Sequence, residues 1–149
     1  MSRVYGFFAF RLRPGPDAED LTAVTFERAM RHAERYDPQR ASVQTWLLSI
    51  AQNALIDHYR HRGRRPETLV GHEELAELPV HDDHVLGLDP ALEAALGELR
   101  ERDRQIVALR YGADLSGQEI AALTGLSEAN VHQVLSRSLR RLRAAMPPR

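Results

Sequence analysis

The chain of 149 residues contains no cysteine and no lysine. Without thiols it can form neither disulfide bridges nor cysteine-ligated zinc sites, and thiol catalysis is excluded. All 20 basic residues are arginine, whose guanidinium group favours two-pronged contacts with phosphate or carboxylate. No stretch approaches the ~20 apolar residues of a membrane span, and the apolar run from Tyr5 to Phe10 is too short for a signal peptide. We therefore expect a soluble, cytoplasmic protein without a membrane partner.

Motifs that support catalysis are also missing. The sequence has no phosphate-binding glycine loop, no Gly-x-Ser-x-Gly turn and no His-Glu-x-x-His zinc motif. His81 to His84 places two aspartates between two histidines, but this acidic stretch lacks the regular periodicity of a rigid metal scaffold. We predict no catalytic residue, no metal site and no cofactor.

The charge of the chain is balanced overall but unevenly distributed. The net charge is −1, yet residues 67–103 hold eleven acidic residues and two arginines. Residues 58–65 hold four arginines, residues 129–149 hold five, and neither segment contains an acid. Local patches decide nucleic-acid binding, and the mean charge conceals them. The two basic segments are therefore candidate nucleic-acid contacts.

Apolar periodicity predicts an all-α fold of two small domains. Residues 1–65 should form three helices, the second capped by Asp17 and the third starting at Ser42. Residues 66–88 mix proline, glycine and acids without a clear period, which indicates a flexible linker. Residues 89–149 should form four helices. The apolar stripe expected on the third helix consists of Val43, Leu47, Ile50, Ala51, Ala54 and Leu55.

The segment from Leu115 to Met146 has the pattern of a helix-turn-helix. Ser116 and Glu119 have the spacing of a capping box, and Gly125 suits the turn. Such a pair sends its second helix into the major groove of DNA. The residues of that helix expected to contact DNA are Ser127, Asn130, His132, Gln133, Ser136, Arg137, Arg140 and Arg141.

Within that set, Asn130, His132 and Gln133 lie nearest the helix start and are expected to read base edges. Asparagine and glutamine can pair with adenine, and histidine can donate to guanine. The later arginines are expected to hold phosphates. The alternative is a surface helix whose basic face is merely solvated.

Trp46, Asn53 and Arg60 are separated by seven residues each and lie within about 40° of one another on the third helix. An aromatic ring, an amide and a guanidinium on one edge can stack a base, bond to it and hold its phosphate. The sequence alone, however, favours the alternative that Trp46 packs under the loop at residues 36–41.

Several segments together resemble one protein family. They are Asp17 to Leu21, Thr25-Phe26, Tyr36 to Pro38, Thr45 to Leu48, Ile50 to Asn53, Ile56 to Arg60, Leu99 to Arg104, Leu109 to Tyr111 and Leu115 to Met146. In this order they resemble the promoter-melting and upstream-reading domains of extracytoplasmic-function sigma factors of bacterial RNA polymerase. The resemblance covers both halves of the chain. It implies a transcription initiation factor whose partners are core RNA polymerase and promoter DNA, with an anti-sigma factor as a further partner.

The resemblance also implies roles for individual residues. It assigns Trp46 and Asn53, with the loop at residues 36–45, to unpaired bases of the minus-ten element. The residues that it assigns to flanking phosphates are Arg60, Arg62, Arg64 and Arg65. Those that it assigns to polymerase binding are Glu19, Asp20, Leu21, Phe26 and Arg28.

Two departures from the family pattern keep two alternatives open. Ala23-Val24 replaces a common Gln-Glu pair, and the first helix is several turns shorter than in the family, as in a truncated start. One alternative is accordingly a truncated sigma-like protein that works by titrating an anti-sigma factor or by occupying the polymerase clamp. The other is an ordinary helix-turn-helix regulator whose N-terminal half dimerises and which binds palindromic duplex DNA without polymerase.

Overall fold

The computed structural model describes residues 2–62 and 89–146, which contain seven α-helices and no strand. The first three helices are α1 (Ser2–Leu12), α2 (Pro16–Arg31) and α3 (Val43–His61), with a 3₁₀ turn at Ala33–Arg35 before α3. The remaining helices are α4 (Pro90–Glu98), α5 (Glu101–Val107), α6 (Gly117–Thr124) and α7 (Glu128–Ala145), and α5 continues into a π-helix at Ala108–Gly112. The all-α prediction is confirmed. The predicted linker at 66–88 lies outside the described residues.

Capping residues set several helix starts as the sequence predicts. Ser42 accepts a hydrogen bond from the Thr45 amide at 3.1 Å, and the Asp89 carboxylate accepts one from the Ala91 amide at 2.7 Å. The expected cap at Asp17 is wrong, because α2 begins at Pro16 after Gly15. Proline has a preset φ and no amide to satisfy, so it suits the first position of a helix.

The helix-turn-helix forms as predicted. The Ser116 hydroxyl accepts from the Glu119 amide at 3.1 Å, and the Glu119 carboxylate accepts from the Ser116 amide at 3.0 Å, which completes the capping box. Gly125 has a φ of 78°, in the left-handed region that ends α6. Ser127 then caps α7 by accepting from the Asn130 amide at 3.1 Å.

Ser116→Ala should lower the free energy of unfolding by about 0.5–2 kcal/mol, because it leaves the Glu119 amide in the first turn of α6 without its side-chain acceptor. Urea denaturation followed by circular dichroism measures this loss. Ser136→Ala is the matched control, since Ser136 is exposed on α7, and it should change stability by less than about 0.5 kcal/mol. Equal losses in the two variants would contradict the role of the capping box.

The buried side of α3 is rotated relative to the predicted stripe. Leu48 is fully buried, whereas Val43 is 49% exposed. Ala51, Ala54 and Leu55 are buried as expected. Val43 lies in the first turn of the helix, so it is beyond the edge of the packing against α2.

One hydrophobic cluster extends through both halves of the chain. It includes Phe7 and Phe8 of α1, Leu48 of α3, and Ile106 and Leu109 of the second half. Helix α1 packs against α2, α3 and the π-helix, and α3 also packs against α6. The two helical groups, expected from the sequence to be separate bodies, therefore contact each other directly. The assignment of domains at 1–65 and 89–149 remains a prediction.

Candidate nucleic-acid interfaces

Helix α7 has one buried and one exposed side. Val131, Val134, Leu135, Ser138 and Leu142 are buried. All eight residues predicted to contact upstream DNA, from Ser127 to Arg141, are exposed. Five of them line one shallow groove, which we call the reading surface: His132, Gln133, Ser136, Arg137 and Arg140. The amphipathic packing of α7 thus leaves its polar side exposed, and a helix of this kind fits into the major groove of DNA.

The His132 side chain lies over the start of α6. A Cβ atom added to Gly117 would be 3.0 Å from the ring of His132, which is tighter than an ordinary contact. The Glu128 carboxylate is 3.7 Å from Nε2 of His132. Gly117 therefore provides the space that His132 occupies, a role that its position inside the capping box did not suggest.

Two other residues of the DNA-contact prediction already have partners within the protein. The Arg137 guanidinium is 3.8 Å from the carboxylate of Asp103, whose side chain is only 7% exposed. The oxygen of Ser127 accepts the capping hydrogen bond from Asn130, although a hydroxyl can still donate. The predicted contacts with the fewest internal constraints are Asn130, Gln133, Ser136, Arg140 and Arg141, all of which are exposed.

A second surface lies between α2 and α3 in the first half. We call it the strand recess, and its lining residues are Arg28, His32, Arg35, Trp46, Ile50 and Asn53. Trp46 and Asn53 were predicted to act together, and the structure brings them to one recess. Arg60 does not line it, since fourteen residues along an α-helix separate it from Trp46 by about 21 Å.

Trp46 is half-buried, and its ring centroid is 5.1 Å from that of Tyr36 at an interplanar angle of 43°. The Tyr36 hydroxyl donates to the carbonyl oxygen of Ala41 at 3.1 Å, which fixes the loop before α3. This contact agrees with the packing interpretation of Trp46. Because Trp46 also lines the strand recess, the two interpretations are compatible: the loop holds a ring that remains accessible.

The basic wall of the strand recess comes from α2, the 3₁₀ turn and the residue between them. The wall consists of Arg28, His32 and Arg35, which follow each other at steps of four and three. This spacing places them on one side of α2 and the turn that continues it. Sequence reasoning missed this wall, although the spacing could have revealed it. Arg28 lines the recess and pairs with Asp57 of α3 at 3.0 Å, and its role in polymerase binding stays a prediction.

At the end of α3 the charges are partly neutralised. Arg62, predicted to hold phosphate, pairs with Asp17 at 3.1 Å. Burial lowers the pKa of His58, and the positive charges of Arg62 and His61 lower it further against the opposing effect of Asp17. His58 is therefore neutral near neutral pH and adds no positive charge at this end of α3. Arg64 and Arg65 lie outside the described residues.

The residues predicted to bind polymerase divide into two groups. Glu19 and Asp20 are exposed on α2. Leu21 is only 8% exposed and belongs to the hydrophobic cluster, and Phe26 is half-buried against the same cluster. Leu21 therefore packs in the core and exposes little surface, and its docking role stays a prediction. Met30, which is 80% exposed on the same helix, was not among the predicted residues.

None of the helices in residues 2–62 and 89–146 has the length and apolar character needed to cross a membrane. Within the same ranges there is no group of three or more histidine, cysteine, aspartate or glutamate residues that could hold a metal ion. The stretch from His81 to His84 falls outside them.

Comparison with known families identifies the two halves. The chain matches the Sigma-70 region 2 family over residues 1–65 and the Sigma-70, region 4 family over residues 95–144. It therefore belongs to the sigma-70 family, whose members are transcription initiation factors and not enzymes.

Within this family, the chain is similar to sigma factors of the extracytoplasmic-function (ECF) type. ECF RNA polymerase sigma factor SigM of Bacillus subtilis is 31% identical over 149 residues, covering 97% of this chain and 88% of SigM. RNA polymerase sigma factor CarQ of Myxococcus xanthus is 34% identical over 143 residues, covering 95% and 81%. The structure of CnrH in complex with the cytosolic domain of CnrY has a TM-score of 0.62 at 26% identity and covers 96% of this chain and 77% of that one. The family resemblance stated from the sequence is confirmed.

Proposed function

We propose that this chain binds core RNA polymerase and directs it to promoters, reading duplex minus-thirty-five DNA with α7 and capturing an unpaired minus-ten base in the strand recess. The observation that carries the proposal is the presence of two different nucleic-acid surfaces on one chain. The reading surface is a polar helix face suited to a duplex groove. The strand recess combines an aromatic ring, an amide and three basic side chains, which suits an unstacked base and its phosphates.

Energetics require a larger partner for strand opening. Opening about four base pairs costs about 6 kcal/mol at a mean of ~1.4 kcal/mol per step. Stacking one base on Trp46 returns about 1–3 kcal/mol. The recess can therefore trap a base that polymerase has helped to expose, but it cannot melt a promoter alone.

For polymerase docking we propose the exposed face of α2. Glu19, Ala23, Glu27 and Met30 are exposed at steps of four, four and three, which places them on one side of the helix. A face that carries two carboxylates and an exposed methionine suits a partner surface that is part basic and part apolar. Ala23 replaces a longer polar residue common in the family, which should reduce the contact area at the middle of this face.

An anti-sigma factor is a further proposed partner, because CnrH, which this chain resembles in fold, is bound to the cytosolic domain of CnrY. The family matches over both halves favour the initiation factor over an independent helix-turn-helix regulator. A chain that only titrates an anti-sigma factor would not need a formed strand recess.

The proposal is tested by reconstituted transcription. Purified core RNA polymerase is supplied with this chain and a pool of random promoter sequences, and transcripts are sequenced. We expect enrichment of promoters that share an upstream and a minus-ten element, and co-purification of the chain with core enzyme. Binding to core without transcripts would indicate the titrating protein, and tight palindrome binding without polymerase would indicate the regulator.

Asn130→Ala and Arg140→Ala should have different effects on upstream-element binding. Loss of the Asn130 amide should reduce the preference for one base at one position by about 1–3 kcal/mol. Loss of Arg140 should weaken binding to all sequences alike and reduce the slope of log K against log salt concentration by about one. Both are measured by duplex binding of the polymerase complex at several salt concentrations. A shift of base preference in Arg140→Ala would place that residue among the base-reading ones.

A further inference from the structure

Gly117, the first residue of α6, is in contact with the ring of His132 of α7. A Cβ atom added to Gly117 would lie 3.0 Å from Cε1 of that ring, 3.1 Å from Nε2 and 3.8 Å from Nδ1. The first two distances are shorter than an ordinary van der Waals contact. An alanine at position 117 would therefore push the ring aside, and a larger side chain would take its place. The ring occupies space that exists because residue 117 has no side chain.

The backbone of Gly117 gives no other reason for a glycine. Among the described residues, the glycines with a positive φ are Gly15 and Gly125, so the conformation of Gly117 does not require glycine. Glycine is also a poor helix former compared with alanine. Close approach of a neighbouring group is the remaining use to which glycine is suited, and here that group is the His132 ring.

Glu128, one helical turn before His132 on α7, adds a second constraint on the ring. Its carboxylate is 3.7 Å from Nε2, which is also one of the two ring atoms nearest to Gly117. Both side chains are exposed, and His132 lines the reading surface. The ring is thus restricted along one edge at the place where duplex DNA is proposed to bind.

We propose that Gly117 is a positioning residue for base reading: the space it leaves sets the position of the His132 ring, and that position determines the base preference of His132 in the upstream element. This inference rests on the function proposed above. A hydrogen bond to a base edge forms only over a narrow range of distance and angle. Position 117 can therefore change base preference without any contact of its own with a base.

Base preference is compared in the parent protein, Gly117→Leu, His132→Ala and the double variant. Each is combined with core RNA polymerase and a pool of duplexes randomised in the upstream element, and the bound sequences are counted. His132→Ala identifies the base pair that His132 reads. Gly117→Leu should reduce the preference at the same base pair by about two- to tenfold, the effect of one lost hydrogen bond. The double variant should equal His132→Ala, because no ring is left to displace.

Two further variants separate positioning from folding. Gly117→Ala should change the same preference by a smaller factor, since it displaces the ring less. Ala122→Leu is the matched control, because Ala122 is exposed on α6 and lies about 140° around the helix from Gly117. It should keep the base preference of the parent. Urea denaturation should show Gly117→Leu to be at least as stable as the parent, since leucine favours a helix more than glycine does.

The position of the ring is measured without DNA by NMR of the free chain. The parent should show a nuclear Overhauser effect between the Cε1 proton of His132 and the α protons of Gly117. Gly117→Leu should shift the ring resonances of His132, whereas Ala122→Leu should leave them in place. Absence of the contact in the parent would overturn the proposal.

The binding data decide the reading role. Unchanged preference in both Gly117→Leu and Gly117→Ala would overturn it, and so would a Gly117→Leu effect that persists in the His132→Ala background. Loss of preference at the base pair read by His132, with no further loss in the double variant, supports it. A parent complex that selects no upstream motif would count against the proposed function, and the reading role would fall with it. The two failures are distinguishable, because failure of the positioning role alone leaves the motif of the parent intact.

Discussion

Replacing Trp46 with alanine should reduce promoter opening by about 5- to 150-fold in the presence of core polymerase, with little effect on binding to closed duplex. The range corresponds to the ~1–3 kcal/mol that one stacked base contributes. Trp46 lines the strand recess beside Asn53 and the basic wall formed by Arg28, His32 and Arg35. Its effect should therefore appear only after a base leaves the stack.

Permanganate reactivity of unpaired thymines measures opening, and gel shift at low temperature measures closed binding. Trp46→Phe is the matched control, because it retains an aromatic face for stacking and should keep most of the opening activity. Tyr36→Phe removes only the hydroxyl that holds Ala41 and tests whether loop position matters. If Trp46→Ala weakened closed binding and opening by the same factor, the ring would be part of the core and not a base-capturing group.

Local signals in the sequence predicted the helix starts well. Ser42, Asp89, Ser116 and Ser127 all cap helices as expected, because a cap depends on a few neighbouring residues. The buried face of α3 was less predictable. Its edges are set by which turns meet α2 and α1, so Val43 is exposed and Leu48 is buried although both are apolar.

The strand recess was only half predicted for a similar reason. The spacing of Trp46 and Asn53 on one helix is visible in the sequence, whereas the facing wall belongs to another element. Periodicity gives the face of a helix but not its neighbour, so the sequence does not show that Arg28 faces α3 and pairs with Asp57. Arg60 lies on the predicted side of α3 but is too far from Trp46 along the helix axis to line the recess.

The contact between the halves was the feature least visible from the sequence. Its one signal is α1, which is apolar around most of its circumference: Val4, Phe7, Phe8 and Ala9 are all buried. A helix of this kind needs cover on more than one side. Two neighbours in its own half leave one side uncovered, and the π-helix of the other half supplies that cover.

Phe7→Ala should lower the free energy of unfolding by about 3–5 kcal/mol, the usual cost of deleting a buried phenylalanine. Phe7 is fully buried and contacts Phe8 edge to face, with ring centroids 5.3 Å apart. The loss is a large part of the ~5–15 kcal/mol that stabilises a typical domain. Because Phe7 belongs to the cluster that both halves share, the loss should reach the second half as well.

Urea unfolding with one probe in each half tests this coupling. Trp46 is the only tryptophan and reports on the first half, while a dye on Ala144→Cys reports on α7. Both transitions should shift together to lower urea in Phe7→Ala, since neither half can keep its buried surface once α1 is loosened. Met30→Ala removes an exposed side chain of similar size and should shift neither by more than about 0.5 kcal/mol. A second-half transition that stayed in place would show that the shared cluster contributes nothing to the stability of the DNA-reading helices.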